Sequence, residues 1–107
     1  MLMVSKKEIY KLQANICQVL GNEKRIEIIE LLKSNELSAG ELREKMGIPK
    51  ANLSQHLTIM KQRGILIDRR EGVNIYYKIA NLKVVTACQI MKEVLLEDFK
   101  RVKEIVS

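Results

Sequence analysis

The sequence predicts a mainly α-helical domain that carries one small β-hairpin, and three observations predict it. A capping signal, Ser38-Ala39-Gly40-Glu41, opens a short helix that stops at the turn Gly47-Ile48-Pro49. A second helix, containing Ser54-Gln55-His56-Leu57, follows at once. Two β-branched and aromatic runs, Ile65-Leu66-Ile67 and Ile75-Tyr76-Tyr77-Lys78-Ile79, then flank Arg69-Arg70-Glu71-Gly72-Val73-Asn74. Helix, turn, helix and basic hairpin in that order are the parts of a winged helix-turn-helix, here in the order α-α-α-α-β-β-α.

The elements follow from local pattern. Between Lys6 and Leu20, Ile9, Leu12, Ile16 and Val19 recur at steps of three and four, the spacing of one helix face. Gly21 stops that helix and Asn22 can cap the next. The second helix runs to about Lys33. Ile26, Ile29, Leu32 and their neighbours give it a wide apolar face, so it is expected to be buried on more than one side. Ser34-Asn35 is a loop. The third helix carries Leu42 and Met46 inward and ends at Gly47. The fourth starts around Pro49, which suits a first turn where no backbone donor is needed, and ends at Gly64. Gly72 and Asn74 tolerate positive φ in the hairpin turn. Asn81 can cap a last helix reaching Ile105, along which Val85, Cys88, Met91, Leu95, Phe99, Val102 and Val106 form a stripe.

That last helix is long for a chain of 107 residues. At 1.5 Å per residue, ~25 residues extend about 37 Å, more than so small a core covers. Its stripe therefore predicts a partner, and the first helix is its natural companion. The expected arrangement is a single domain, 1–107. Residues 1–20 and 81–107 form the dimer layer of an isologous homodimer, 38–63 the helix-turn-helix and 65–79 the wing.

Composition narrows the partner. Nineteen basic residues face thirteen acidic ones, a net charge of +6. The excess is concentrated: Lys50, Lys61, Arg63, Arg69, Arg70 and Lys78 fall between positions 50 and 80, against only Asp68 and Glu71. A basic patch on one module points to a polyanion. With three Tyr, one Phe and no Trp, aromatic platforms for single-stranded bases are not expected. No run approaches the ~20 apolar residues of a membrane span, and Met1-Leu2-Met3-Val4 is too short for a signal-peptide core. The expected location is the cytoplasm, where Cys17 and Cys88 stay reduced.

On a helical wheel at ~100° per residue, Leu53, Leu57 and Met60 cluster within about 60° and face inward. The opposite face presents Ala51, Asn52, Gln55, Thr58 and Gln62, uncharged, small and amide-rich. Asn and Gln can pair bidentately with adenine in the major groove, and small residues let the backbone approach. Lys50, Lys61 and Arg63 lie around the rim, where phosphates would be. The plain alternative is an ordinary amphipathic helix with a polar outer face. His56, the only histidine, sits on the flank, either as a DNA contact or as a satisfied structural histidine.

With these residues in place the chain resembles the ArsR/SmtB-type repressors. The resemblance rests on Leu20-Gly-Asn-Glu-Lys-Arg25-Ile26, Glu36-Leu-Ser-Ala-Gly-Glu-Leu42, Leu53-Ser-Gln-His-Leu57, Arg70-Glu-Gly72 and Tyr76-Tyr77, and spans roughly residues 12 to 96. It implies a homodimeric winged helix that binds an operator in double-stranded DNA and is released by an inducer; the inducer is unknown. The metal sites of that family do not carry over. The thiolate positions of the third helix hold Ser38 and Gly40, and the Asp, His and Glu ligand positions of the last-helix zinc or nickel site fall on Asn81, Lys83, Val94 and Glu97. The overall sequence is closest in look to the non-metal, thiol-sensor-like branch, yet the cysteine positions of that branch hold Glu30 and Leu96. Cys17 and Cys88 therefore read as small buried hydrophobes or, alternatively, as a redox pair between the first and last helices.

The sequence reading is a dimeric, sequence-specific, double-stranded DNA-binding transcriptional regulator acting as a repressor on an inverted repeat. Asn52, Ser54, Gln55 and His56 are the candidates for base or near-base contact. Lys50, Lys61, Arg63, Arg69, Arg70 and Asn74 are the candidates for phosphate and wing contact, with Arg25 a weaker one. No metal and no cofactor is expected. An enzyme is disfavoured because the chain has no nucleophile–base pair, glycine-rich phosphate loop or metal cluster. The remaining rivals are a winged helix used for protein contacts and an architectural DNA-binding module without an inducer.

Overall fold

The computed structural model describes residues 3–106, apart from the side chain of Val106. The expectations for residues 1, 2 and 107, and for Val106 as the last member of the apolar stripe, lie outside the described residues. The elements are α1 (Lys6–Leu20), α2 (Glu23–Leu32), β1 (Leu37–Ser38), α3 (Ala39–Met46), α4 (Lys50–Gln62), β2 (Leu66–Glu71), β3 (Asn74–Ile79) and α5 (Lys83–Val106).

Caps set most of the helix boundaries. Asn22 Oδ1 accepts from the backbone N–H groups of Lys24 and Arg25 at 3.0 and 3.3 Å, starting α2. Ser38 and Glu41 form the reciprocal box: Ser38 Oγ accepts from the Glu41 N–H, and Glu41 Oε1 from the Ser38 N–H, both at 3.0 Å. Gly47 ends α3 at φ +64°, left-handed backbone that costs glycine little, and its N–H reaches the Arg43 carbonyl at 2.9 Å. Pro49 stands one position ahead of the first helical residue of α4, as its N-cap. Asn81 Oδ1 accepts from the Lys83 N–H at the start of α5.

The core gathers one face from each element. Ile28, Ile29 and Leu32 of α2 meet Leu42 of α3 and Leu53, Leu57 and Met60 of α4, all nearly or fully buried. Ile65, Leu66 and Ile79 close it from the hairpin, and Val19 and Val85 from the long helices. Leu42 is fully buried, so Leu42→Ala should remove transfer energy and leave a cavity, costing about 2–5 kcal/mol. Urea unfolding followed by circular dichroism checks this.

Four expectations change. Ile26 is exposed rather than part of the buried face, because it lies about 200° round α2 from Ile28. The hairpin is longer and tighter than read. Its strands pair from Leu66↔Ile79 out to Glu71↔Asn74, so Arg69 and Arg70 stand within β2, Asn74 opens β3, and only Gly72-Val73 turns. A two-residue loop that matches the strand twist needs positive φ, which Gly72 supplies at +63°. A third strand was missed: Leu37 and Ser38 pair with Tyr77 and Tyr76, giving the antiparallel order β1-β3-β2. Two residues carry too little alternation to signal a strand. Finally, Cys17 is exposed rather than buried; Val19 faces the core, and Cys17 lies about 200° away on α1.

The long helices carry an uncovered apolar face. On α1, Ile9, Leu12 and Ile16 are exposed; on α5, Met91, Leu95, Phe99 and Val102 are exposed at helical spacing. No described helix is long and apolar enough to cross a membrane.

Candidate nucleic-acid interface

Three buried side chains orient α4. Because Leu53, Leu57 and Met60 lock one side into the core, the opposite side must face solvent. Ala51, Asn52, Ser54, Gln55, Thr58 and Gln62 are all exposed there. The amide-rich surface read from the wheel is thus a real surface of the molecule. Lys50 and Arg63 mark its two ends, both exposed and without an ion-pair partner among the described residues.

The wing is tied to the helix-turn-helix by its own charges. Arg69 faces Tyr76 across the β2–β3 ladder and Ser38 faces Tyr76 on the other side of β3. The Arg69 side chain therefore spans the sheet. Its guanidinium carbon sits 4.5 Å from the Tyr76 ring centroid, and its Nε and Nη2 donate to the Glu36 carboxylate just ahead of β1 at 2.5–3.1 Å. Nη1 donates to Glu71 at 2.6 Å. The hydrogen bond from Arg69 holds the Glu36 carboxyl below its ordinary range. Lys61, near the end of α4, donates to Asp68 of β2 at 2.8 Å, and that hydrogen bond pushes its ammonium pKa up.

Two of the six basic residues of this module thus have internal carboxylate partners. Arg69 braces the wing and Lys61 joins α4 to it. Arg70 alternates to the other face of β2, is exposed and has no ion-pair partner among the described residues. Asn74 is exposed beside the hairpin tip.

His56 is half-buried on the flank of α4. Arg25 of α2 donates from Nε to His56 Nδ1 at 3.2 Å and from Nη1 to the Val19 carbonyl, in the last turn of α1, at 3.2 Å. Burial foremost, then the charges of Arg25 and Lys24, holds the imidazole pKa below its ordinary value. The sequence named Arg25 within a motif, but a hydrogen bond between residues 31 apart leaves no trace in local periodicity. Glu36 too was named only within a motif, and its pairing with Arg69, 33 residues away, was missed for the same reason.

The cysteines are both free thiols. Cys88 is half-buried against the core, and burial pushes its thiol pKa up. Among the described residues no group of three His, Cys, Asp or Glu is arranged to hold a metal ion. Ser38, standing where a thiolate would be needed, is used as the cap of α3.

Comparison with known proteins agrees in sequence and in shape. The pattern described as "Bacterial regulatory protein, arsR family" matches residues 22–68. The HTH-type transcriptional regulator Rv0081 of Mycobacterium tuberculosis is 34% identical over 88 residues, covering 81% of this chain and 77% of that one. Its crystal structure superposes with a TM-score of 0.79, at 32% identity over 87% of this chain and 94% of that chain. The transcriptional repressor SdpR of Bacillus subtilis is 35% identical over 65 residues, 61% of this chain and 72% of SdpR. The homodimeric winged helix-turn-helix DNA-binding domain of Mb0332 from Mycobacterium bovis, solved by NMR, gives a TM-score of 0.80 at 25% identity. It covers 94% of this chain and 95% of that one.

Proposed function

Because this chain belongs to the arsR family of bacterial regulatory proteins, we propose that it is a transcriptional repressor that binds an inverted-repeat operator in duplex DNA as a homodimer. It works in the cytoplasm, where the chromosome is, and has no catalytic step. The observation that carries the reading is the exposed face of α4: an uncharged amide surface bounded by Lys50 and Arg63, next to a wing whose Arg70 is free. Asn52, Ser54 and Gln55 face the base edges. Lys50, Arg63 and Arg70 take phosphates, and Asn74 lies against the backbone or minor groove. Lys61 and Arg69 serve first to hold the wing against α4 and β1, and touch phosphate only at the margin of those pairs.

The uncovered stripes of α1 and α5 support the dimer. Two-fold pairing of these stripes would bury apolar surface that the single chain leaves in water, and would place two copies of α4 on one face of the DNA.

Two substitutions test the assignment of roles. Gln55→Ala should relax base preference at one position per half-site, weakening operator binding by about 1–3 kcal/mol in each. Arg70→Ala should weaken binding to all sequences alike and shallow the salt slope. Enrichment from a random duplex pool followed by anisotropy titration reads both. Unchanged sequence preference in Gln55→Ala would show that this face does not enter the groove.

A further inference from the structure

We propose that Arg25 is a positioning residue for DNA binding: it fixes the His56 ring so that Nε2 carries the proton and is offered as a donor to a DNA phosphate oxygen. The inference rests on the DNA-binding reading and adds to it a residue that need not touch DNA.

The argument is one of hydrogen-bond inventory. A guanidinium has donors only, so the hydrogen bond between Arg25 Nε and His56 Nδ1, at 3.2 Å, requires Nδ1 to accept. A neutral imidazole that accepts at Nδ1 carries its proton on Nε2. No described residue accepts from Nε2. The second arm of the fork, Nη1 on the Val19 carbonyl at 3.2 Å, stops the guanidinium from swinging away. Arg25 thus bridges the end of α1, α2 and the flank of α4. At ~100° per residue, His56 shares that flank with Arg63, seven residues after it, and Asn52, four before it, stands at its boundary with the groove face. This flank lies between the core edge and the groove face, where the sugar–phosphate backbone would run. A lysine could not serve both acceptors from one nitrogen in this planar way.

Protonation of His56 undoes the arrangement. An imidazolium has no acceptor and would sit against the Arg25 cation, with Lys24 also on α2; the charges acting on the ring are both positive. Acidification through the His56 pKa, which lies below the ordinary ~6.5, should therefore release Arg25 from the ring.

The only histidine of the chain makes the test clean. Nitrogen-15 NMR of the imidazole in the free wild-type protein at neutral pH should show one tautomer, protonated at Nε2. Arg25→Ala should give a tautomer mixture and bind a random-sequence duplex of ~30 base pairs about tenfold more weakly. His56→Ala should lose a similar factor, and the double variant no more than either single one, since Arg25 acts through the ring. The ratio of wild-type to Arg25→Ala affinity should fall towards one as pH drops below the His56 pKa. A mixed tautomer in the wild type, or additive losses in the double variant, would overturn the inference while leaving DNA binding intact. A loss confined to the enriched operator would overturn the phosphate as acceptor. Wild-type protein that binds no duplex at all would instead sink the functional reading, and this inference with it.

Discussion

Raising salt from about 50 to about 200 mM should cut the affinity of the dimer for duplex DNA roughly 10³-fold. The expectation comes from the free cations. Lys50, Arg63 and Arg70 are exposed and unpaired among the described residues, so two protomers supply about six phosphate contacts. Each neutralised phosphate releases about 0.9 counterion, which gives a slope near −5 in log affinity against log salt. Counting Lys61 and Arg69 as fully free would steepen it to about −9. The measured slope therefore reports whether those two side chains keep their carboxylates when DNA arrives. Anisotropy titrations across the salt range check it, and a slope near zero would contradict a phosphate-reading surface altogether.

Leu95→Glu should yield a folded monomer that binds operator about 10²–10⁴-fold more weakly than the wild type. Leu95 lies mid-stripe on α5 and is 53% exposed in the single chain, so a carboxylate there costs the isolated fold little. In the paired helices the same carboxylate would be buried without a partner, which disfavours association strongly. With the dimer gone, the second half-site loses its effective concentration, which is of millimolar order for a short connection. Sedimentation equilibrium gives the oligomeric state and circular dichroism the fold. A dimer that survives Leu95→Glu would show that the stripe is covered in some other way.

Much of this architecture was legible because its signals are local. The Ser38–Glu41 box, the Gly47 turn and the Leu53, Leu57 and Met60 spacing each lie within a few residues, where capping and periodicity act directly. The exposed amide-rich surface of α4 was legible for the same reason, since burial of one helix face dictates exposure of the other. The hairpin was placed correctly but trimmed. Arg69, Arg70 and Glu71 look like turn residues by composition, yet they pair within the ladder. β1 was invisible because two residues become a strand only when β3 lies beside them.

The sequence by itself determined the helices, the turn and wing, the uncharged exposed face of α4 and the surplus of apolar surface on the terminal helices. Tertiary structure alone decided which cations are available. Arg69 and Arg70 are adjacent and chemically identical, yet one stacks on Tyr76 and grips Glu36 while the other points to solvent. It also decided the state of His56, through an arginine 31 residues away. The physical reason is common to both. A charge is assigned its work by whatever stands within about 3 Å of it, and that neighbour is set by how distant segments pack rather than by spacing along the chain.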